Sequence, residues 1–263
     1  MALTRRSFED TTRGKSMGRI VVWFSCGAAS ACAASLAVQK YGHENLHVVY
    51  CDTLMSEHPD NRRFLDDVSK WINHPVEIIG SEKYASIEEV FDKERYMSGV
   101  RGARCTVEMK RVPRLEYQEY GDLHIFGLTA DEDKRIQRFK ENNPDLNLEW
   151  NLQYAGITKD DCYRIIKEAE IALPVMYSLG FKNNNCIGCV KATSPKYWDL
   201  VRKNFPATFC RRARQSRELG VRLVRYHGVR MFLDELPDPI TDKREQEDIE
   251  CGPVCLVERA ADV

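Results

Sequence analysis

Arg19-Ile20-Val21-Val22-Trp23-Phe24, then Ser25-Cys26-Gly27-Ala28-Ala29-Ser30, then an alanine-rich run to about Lys40 reads as a strand, a tight loop of small residues and a helix. Such a loop lets backbone N–H groups face a ligand, and the helix N-terminus adds positive potential worth about 0.3–1 kcal/mol per favourable anionic contact. A phosphate site is thereby outlined. It is not a Walker A loop, because no lysine follows its small residues, and it lacks the three-glycine dinucleotide fingerprint. Small residues at this junction also serve close packing of a helix on a sheet, and from this segment alone both readings stand.

Outward from this segment the pattern repeats. Residues 46–51 and 76–80 read as strands, and 59–71 reads as a helix opened by Pro59. Residues 86–96 and 112–120 look helical, 123–128 is a fourth strand, and 159–169 a further helix. Strands alternating with helices predict a parallel sheet. The expected fold is α/β, a doubly wound parallel sheet over residues 18–180 behind a tail of 1–17. A cysteine- and arginine-rich region follows over 181–263.

At 43% hydrophobic and a net charge of -1, the chain can bury a large core and is not a disordered one. No apolar stretch approaches the roughly 20 residues of a membrane span. The first sixteen residues are polar and basic with no apolar segment before a cleavage site, so a cytoplasmic address is expected. In a reducing compartment the 10 cysteines are read for metal binding or thiol chemistry rather than for disulfides.

Cys186-Ile187-Gly188-Cys189, preceded by three asparagines, suits a loop that wraps a metal, and Cys105, Cys251 and Cys255 are remote candidates to complete a four-thiolate site. No histidine sits at ligand spacing around the pair, so a mixed Cys/His zinc finger is not indicated. Zinc and iron–sulfur both accept four thiolates, and spacing leaves both open. Cys32, Cys51, Cys162 and Cys210 fall within expected elements, where packing is their role. Cys26, at a helix N-terminus, is either an activated thiolate or a small apolar filler. Nine lysines and arginines between residues 202 and 230, against Glu218 alone, form a cationic stretch densest at Arg211, Arg212 and Arg214. It would bind a nucleic acid or a small polyanion, or be a solvated helix face.

The loop from Ser25 to Ser30 resembles the pyrophosphate loop of the adenine-nucleotide α-hydrolase superfamily. More closely, the chain resembles the phosphoadenosine-phosphosulfate-reductase-like family, in the branch with many phage and mobile-element proteins. Supporting stretches, in the family's order, are Tyr50-Cys51-Asp52-Thr53 with Glu57-His58-Pro59; Arg104-Cys105-Thr106 with Lys110 and Pro113; Gly127 to Glu132 with Arg135; and Cys186-x-x-Cys189. The resemblance implies that Ser25, Gly27 and Ser30, with Cys26, Ala28 and Ala29 beside them, cradle the nucleotide phosphates. It implies that Asp52 and Thr53 lie near the adenosine, that Gly127 and Glu132 border the nucleotide, and that Lys110 and Arg135 meet anionic oxygens. It also tips the metal towards a [4Fe–4S] cluster, with zinc as the alternative, on Cys105, Cys186, Cys189 and Cys255. Cys251 is then a nucleophile or a substitute ligand. The departures are Cys26 for the loop's usual glycine, Ala29 for its aspartate, Thr106 for the second of a cysteine pair, and Val254 for a histidine.

The function implied is an adenine-nucleotide-dependent, iron–sulfur enzyme of sulfur chemistry, an oxidoreductase or a sulfurtransferase using ATP or an adenosine phosphosulfate. Cys251 or Cys26 would attack, assisted by Lys110 and Arg135. Two alternatives are an ATP pyrophosphatase that makes an activated nucleotide, and a non-catalytic nucleic-acid- or nucleotide-binding module with a structural cluster. Expected partners are the nucleotide, a nucleic acid on Arg211, Arg212 and Arg214, an electron or sulfur donor, and a second copy of the chain.

Overall fold

A computed structural model describes residues 18–99, 102–247, 249 and 251. The expected tail and Cys255 lie outside these residues. Five parallel strands form one sheet: β1 (Ile20–Phe24), β2 (Leu46–Cys51), β3 (Val76–Ile79), β4 (Leu123–Phe126) and β5 (Asn147–Glu149), in the order β3-β2-β1-β4-β5. All five residues of β1 are buried, which is why it reads as an unbroken apolar run rather than an alternating one. Ile20, Val22 and Phe24 enter one core, Val21 and Trp23 the other, on the opposite face of the sheet.

The longer helices are α1 (Ala28–Tyr41), α2 (Asp60–Trp71), α3 (Ile87–Glu94), α4 (residues 104–117), α5 (Asp133–Asn142), α6 (Lys159–Glu168), α7 (Pro195–Asn204) and α8 (Pro206–Glu218). The alanines of α1 let it sit close to the sheet and to α6. α4 changes to π geometry over Val107–Arg111, a local widening that often marks functional positions. Among the described residues no helix is long and apolar enough to cross a membrane.

The chain leaves β1 for β2 on one side, while β4 pairs on the other, so the strand order reverses at the carboxyl ends of β1 and β4. Open α/β sheets bind ligands at such a reversal. The boundary expected at 180 falls within one body of packing. A third core joins Tyr84, Phe91, Met97, Cys105 and Met109 to Phe181, Cys186, Cys189, Trp198 and Leu233. The cysteine-bearing segment thus packs against α3 and α4 rather than standing apart.

One buried residue makes the sheet acid-sensitive. Trp23 donates through Nε1 to His124 Nδ1 at 3.2 Å, so the histidine is neutral with its proton on Nε2. Burial, aided by Arg114 and Arg19 against Asp122, pushes this imidazole down to about 4. Its folded value lies below the ordinary one, so the unfolded chain takes up the proton first as pH falls. Stability is therefore fully present above about pH 6.5 and is lost between there and about pH 4, by up to about 3 kcal/mol. Urea unfolding across that window checks this. His124→Gln, which keeps an acceptor without titrating, is expected to flatten the slope, and an unchanged slope would assign the acid loss elsewhere.

Candidate functional site

The loop after β1 is braced from inside. Ser30 Oγ accepts from the Ser25 N–H at 3.0 Å and the Gly27 N–H at 3.3 Å, and donates to the Gly27 carbonyl at 2.9 Å. With that proton committed, the Ser25 hydroxyl donates to Ser30 Oγ at 3.1 Å. The N–H groups of Ser25 and Gly27, expected to meet phosphates, therefore serve the loop. The donors without an intrahelical partner are those of the first turn of α1, and Ala28, Ala29 and Ser30 all border the cavity described below. The Tyr177 hydroxyl accepts from the Ala28 and Asn184 N–H groups, and burial pushes that phenol up to about 12. Gly127 permits the loop's position: a Cβ there would lie 2.5 Å from Ser30 N.

Cys26 takes the left-handed conformation, with φ of 57°, which glycine adopts without strain. This turns its side chain away from the cavity. The residue is fully buried, its thiol donates to the Asn61 carbonyl at 3.5 Å, and burial pushes it well above the ordinary thiol value. An activated thiolate at the helix N-terminus is thus not what this position provides.

A cavity of about 190 Å³ opens beside the loop, at the carboxyl ends of β1 and β4. Lys110, Arg135, Arg138 and Lys159 border it against Asp131 and Glu132, so cations outnumber acids. Glu132 accepts from the Thr129 N–H and hydroxyl, both at 2.9 Å, and pairs with Arg135. Lys159 donates to the Lys182 carbonyl and to Asn183 Oδ1. Phe139 stands 4.8 Å from Phe126, and Tyr163 5.4 Å from Tyr177, centroid to centroid, giving the cavity aromatic walls.

Asp52 and Thr53 do not border this cavity. Asp52 caps the turn that follows it, accepting from the Leu54 N–H at 3.0 Å. Thr53 is buried and donates to Glu57, which also receives Tyr50 and Asn61. Asn184 extends this network to the loop, donating to Asn61 Oδ1 at 2.9 Å and the Cys26 carbonyl at 2.7 Å. Read in the sequence only as a polar flank of the cysteines, Asn184 ties their segment to the loop.

Cys105, Cys186, Cys189 and Cys251 lie within one another's electrostatic reach, and the Cys189 and Cys251 thiols are hydrogen-bonded. Burial pushes Cys105 up to about 12 and raises Cys186; for Cys189 the bond to Cys251 adds to burial. Cys251 moves the other way: the Cys189 hydrogen bond, with Lys110 and Lys191 nearby, holds it well below the ordinary value although desolvation opposes this. Lys110 is buried and donates to the Cys251 carbonyl at 3.0 Å. Burial alone would lower its value, but the surrounding thiols and Glu57 raise it overall. Four thiols from three segments match the donor chemistry of a four-thiolate centre. Among the described residues, no group of three or more His, Cys, Asp and Glu side chains already stands at the spacing of a metal ion's ligands. Cys251 and Lys110 also border the cavity, and so join the thiol cluster to the loop of Ser25–Ser30.

The cationic stretch is largely consumed by the fold. Arg212 is fully buried and pairs with Glu88 at 3.1 Å. Arg211 reaches the same carboxylate, Arg214 pairs with Glu218, Arg217 with Asp234 and Glu235, and Arg202 with Asp199. Counting charge over residues 202–230 found Glu218 and missed Glu88, Asp199, Asp234 and Glu235, which lie outside that stretch. A nucleic-acid surface on Arg211, Arg212 and Arg214 loses its middle member to the interior.

No protein-family model matches the chain, and no curated protein matches it.

Proposed function

We propose that this chain is an adenine-nucleotide-binding enzyme of sulfur chemistry that works beside a four-thiolate centre on Cys105, Cys186, Cys189 and Cys251. The supporting observation is that Cys251 and Lys110 border the same cavity as the loop Ser25–Ser30, so a nucleotide and the thiols would share one space. The Ala29 and Ser30 N–H groups in the first turn of α1 and the side chains of Arg135 and Arg138 would take anionic oxygens, and Phe139 or Tyr163 would stack on the base. Lys110 would balance negative charge between nucleotide and thiols. A [4Fe–4S] cluster, the centre that the family resemblance favours over zinc, would supply electrostatic stabilisation or sulfur there.

A second reading makes Cys251 the nucleophile in place of a ligand, because it is only half-buried and borders the cavity. Its thiolate would attack the sulfur of an adenosine phosphosulfate. An S–S bond forms, the S–O bond to phosphate breaks, and the nucleotide phosphate leaves with the electron pair, giving a cysteine S-sulfonate. A thiol reductant then releases sulfite.

The test uses anaerobically purified full-length chain, with iron and zinc counted and adenosine phosphosulfate added without reductant. Bound metal and a nucleotide complex are expected on either reading; a sulfonate adduct on Cys251, gone in Cys251→Ala, is expected only where Cys251 is the nucleophile. Protein that holds neither metal nor adenine nucleotide would overturn the reading. Full adduct yield in Cys251→Ala would overturn the nucleophile's assignment, and pyrophosphate release from ATP would favour a pyrophosphatase.

A further inference from the structure

Three elements grip the backbone of the Cys186–Cys189 loop, and a fourth holds two of them. The Tyr197 hydroxyl, on α7, receives the Cys189 N–H at 2.8 Å and donates to the Cys186 carbonyl at 3.4 Å. The Ile187 N–H donates to the Ser56 carbonyl at 2.9 Å. Arg212, on α8, donates from Nε to the Gly188 carbonyl at 3.2 Å. Its Nη1 reaches Gln215 Oε1 at 2.8 Å and its Nη2 reaches Glu88 Oε1 at 3.1 Å, while the guanidinium lies 4.9 Å from the Phe91 ring centroid. Glu88, on α3, closes the circuit by accepting from Ser56 Oγ at 3.1 Å. Gly188 itself has φ of 69°, and a Cβ there would lie 3.1 Å from Thr208 Cγ2 and 3.7 Å from Arg212 Nε, so α8 and the loop fit only with glycine.

An ion pair with a fully buried guanidinium is a poor way to gain stability, because the cost of desolvation offsets most of the attraction. What this pair supplies is direction. The planar guanidinium holds a carbonyl, a carboxamide and a carboxylate at fixed angles, which a lysine ammonium does not do. Without it the Gly188 carbonyl would lose its partner, and the loop could relax.

We propose that Arg212, held by Glu88, is the positioning residue for the Cys186 and Cys189 thiols: it fixes their loop in advance, so that a centre assembles on thiols already set in place. This rests on the reading that the two thiols hold a centre, and the test is chosen to separate the two ideas. The probe is a trivalent phenylarsine oxide, which two neighbouring thiols capture as a cyclic dithioarsenite with release of water and no change of oxidation state. Chelator-treated full-length chain is titrated with the arsenical, and untreated chain is challenged with chelator to time metal release.

Arg212→Lys is expected to weaken arsenical capture by at least about tenfold and to speed metal release by a similar factor, as loss of a partner that orients a ligand commonly does. Glu88→Gln, a milder change at the rim, is expected to shift both readouts in the same direction. Arg211→Ala, which removes a second contact to Glu88 but none to the loop, is expected to leave them unchanged. Wild-type capture and release in Arg212→Lys overturns the proposal, and so does an equal loss in Arg211→Ala, since the effect would then belong to the charge on Glu88. Capture that depends on Arg212 in a chain holding no metal supports the positioning role while removing the centre.

Discussion

With serine in place of Cys189, the anaerobically purified chain is expected to carry less than about a tenth of the unaltered protein's iron and to melt about 10 °C lower. Cys189 is buried, touches the Cys251 thiol and sits on the loop that Tyr197 and Arg212 hold. A serine hydroxyl is not a soft ligand, and in this apolar setting it would add an unmet polar group costing about 1–3 kcal/mol. The binding free energy of the proposed centre would be lost as well, because a ligand that binds only the folded chain stabilises it. At about 2–4 °C per kcal/mol for a chain of this size, the two losses reach the stated shift. Cys210→Ser is the control: it is exposed on α8 and is expected to change stability by less than about 0.5 kcal/mol with full iron content. Iron assay and thermal melting by circular dichroism decide, and a Cys189→Ser protein that behaves like Cys210→Ser would leave no centre at this loop.

The contrast between these cysteines shows what the sequence could and could not express. β1 and β2 are legible because they are almost wholly apolar and buried, β3 because three of its four residues are valine or isoleucine, and the small residues after Phe24 mark where strand turns into helix. β5 is three residues long, Asn-Leu-Glu at the sheet's edge, and α5 buries Ile136 alone, so neither carries the periodicity that identifies an element. Spacing pairs Cys186 with Cys189, and the family resemblance adds Cys105 to them. The direction of the Cys26 thiol does not, because it depends on a left-handed φ that no pattern of residue types reveals. Charge is the least legible property of all. Arg212 looks like the densest point of a polyanion surface, yet its partners Glu88 and Gly188 come from elements 124 and 24 positions away. Thr53 likewise reads as a ligand-facing residue at a strand end, and packing turns it instead toward Glu57.

Gly127→Ala is expected to destabilise the chain by about 3 kcal/mol, at the upper end of what added core methyl groups usually cost, and to weaken adenine-nucleotide binding at least about tenfold. The new Cβ would stand 2.5 Å from both Ser30 N and Ser30 Cα and 2.9 Å from the Ala29 carbonyl carbon. These are backbone atoms, so no side-chain rotation relieves the contact. Either the end of β4 or the first turn of α1 must move, and that turn carries the Ala29 and Ser30 N–H groups proposed to meet the nucleotide's anionic oxygens. Gly27→Ala supplies the comparison inside the same loop. Its Cβ would meet the Tyr177 hydroxyl at 3.5 Å and Ser25 Oγ at 3.8 Å, ordinary contacts, from a backbone φ of -103° open to any residue. Urea unfolding of the two variants measures the difference, and titration of Gly127→Ala with an adenine nucleotide measures its consequence. If Gly127→Ala proves as stable as Gly27→Ala, the close approach of β4 to α1 is not what holds the loop. If it is destabilised but binds nucleotide normally, the first turn of α1 is not where the anion sits.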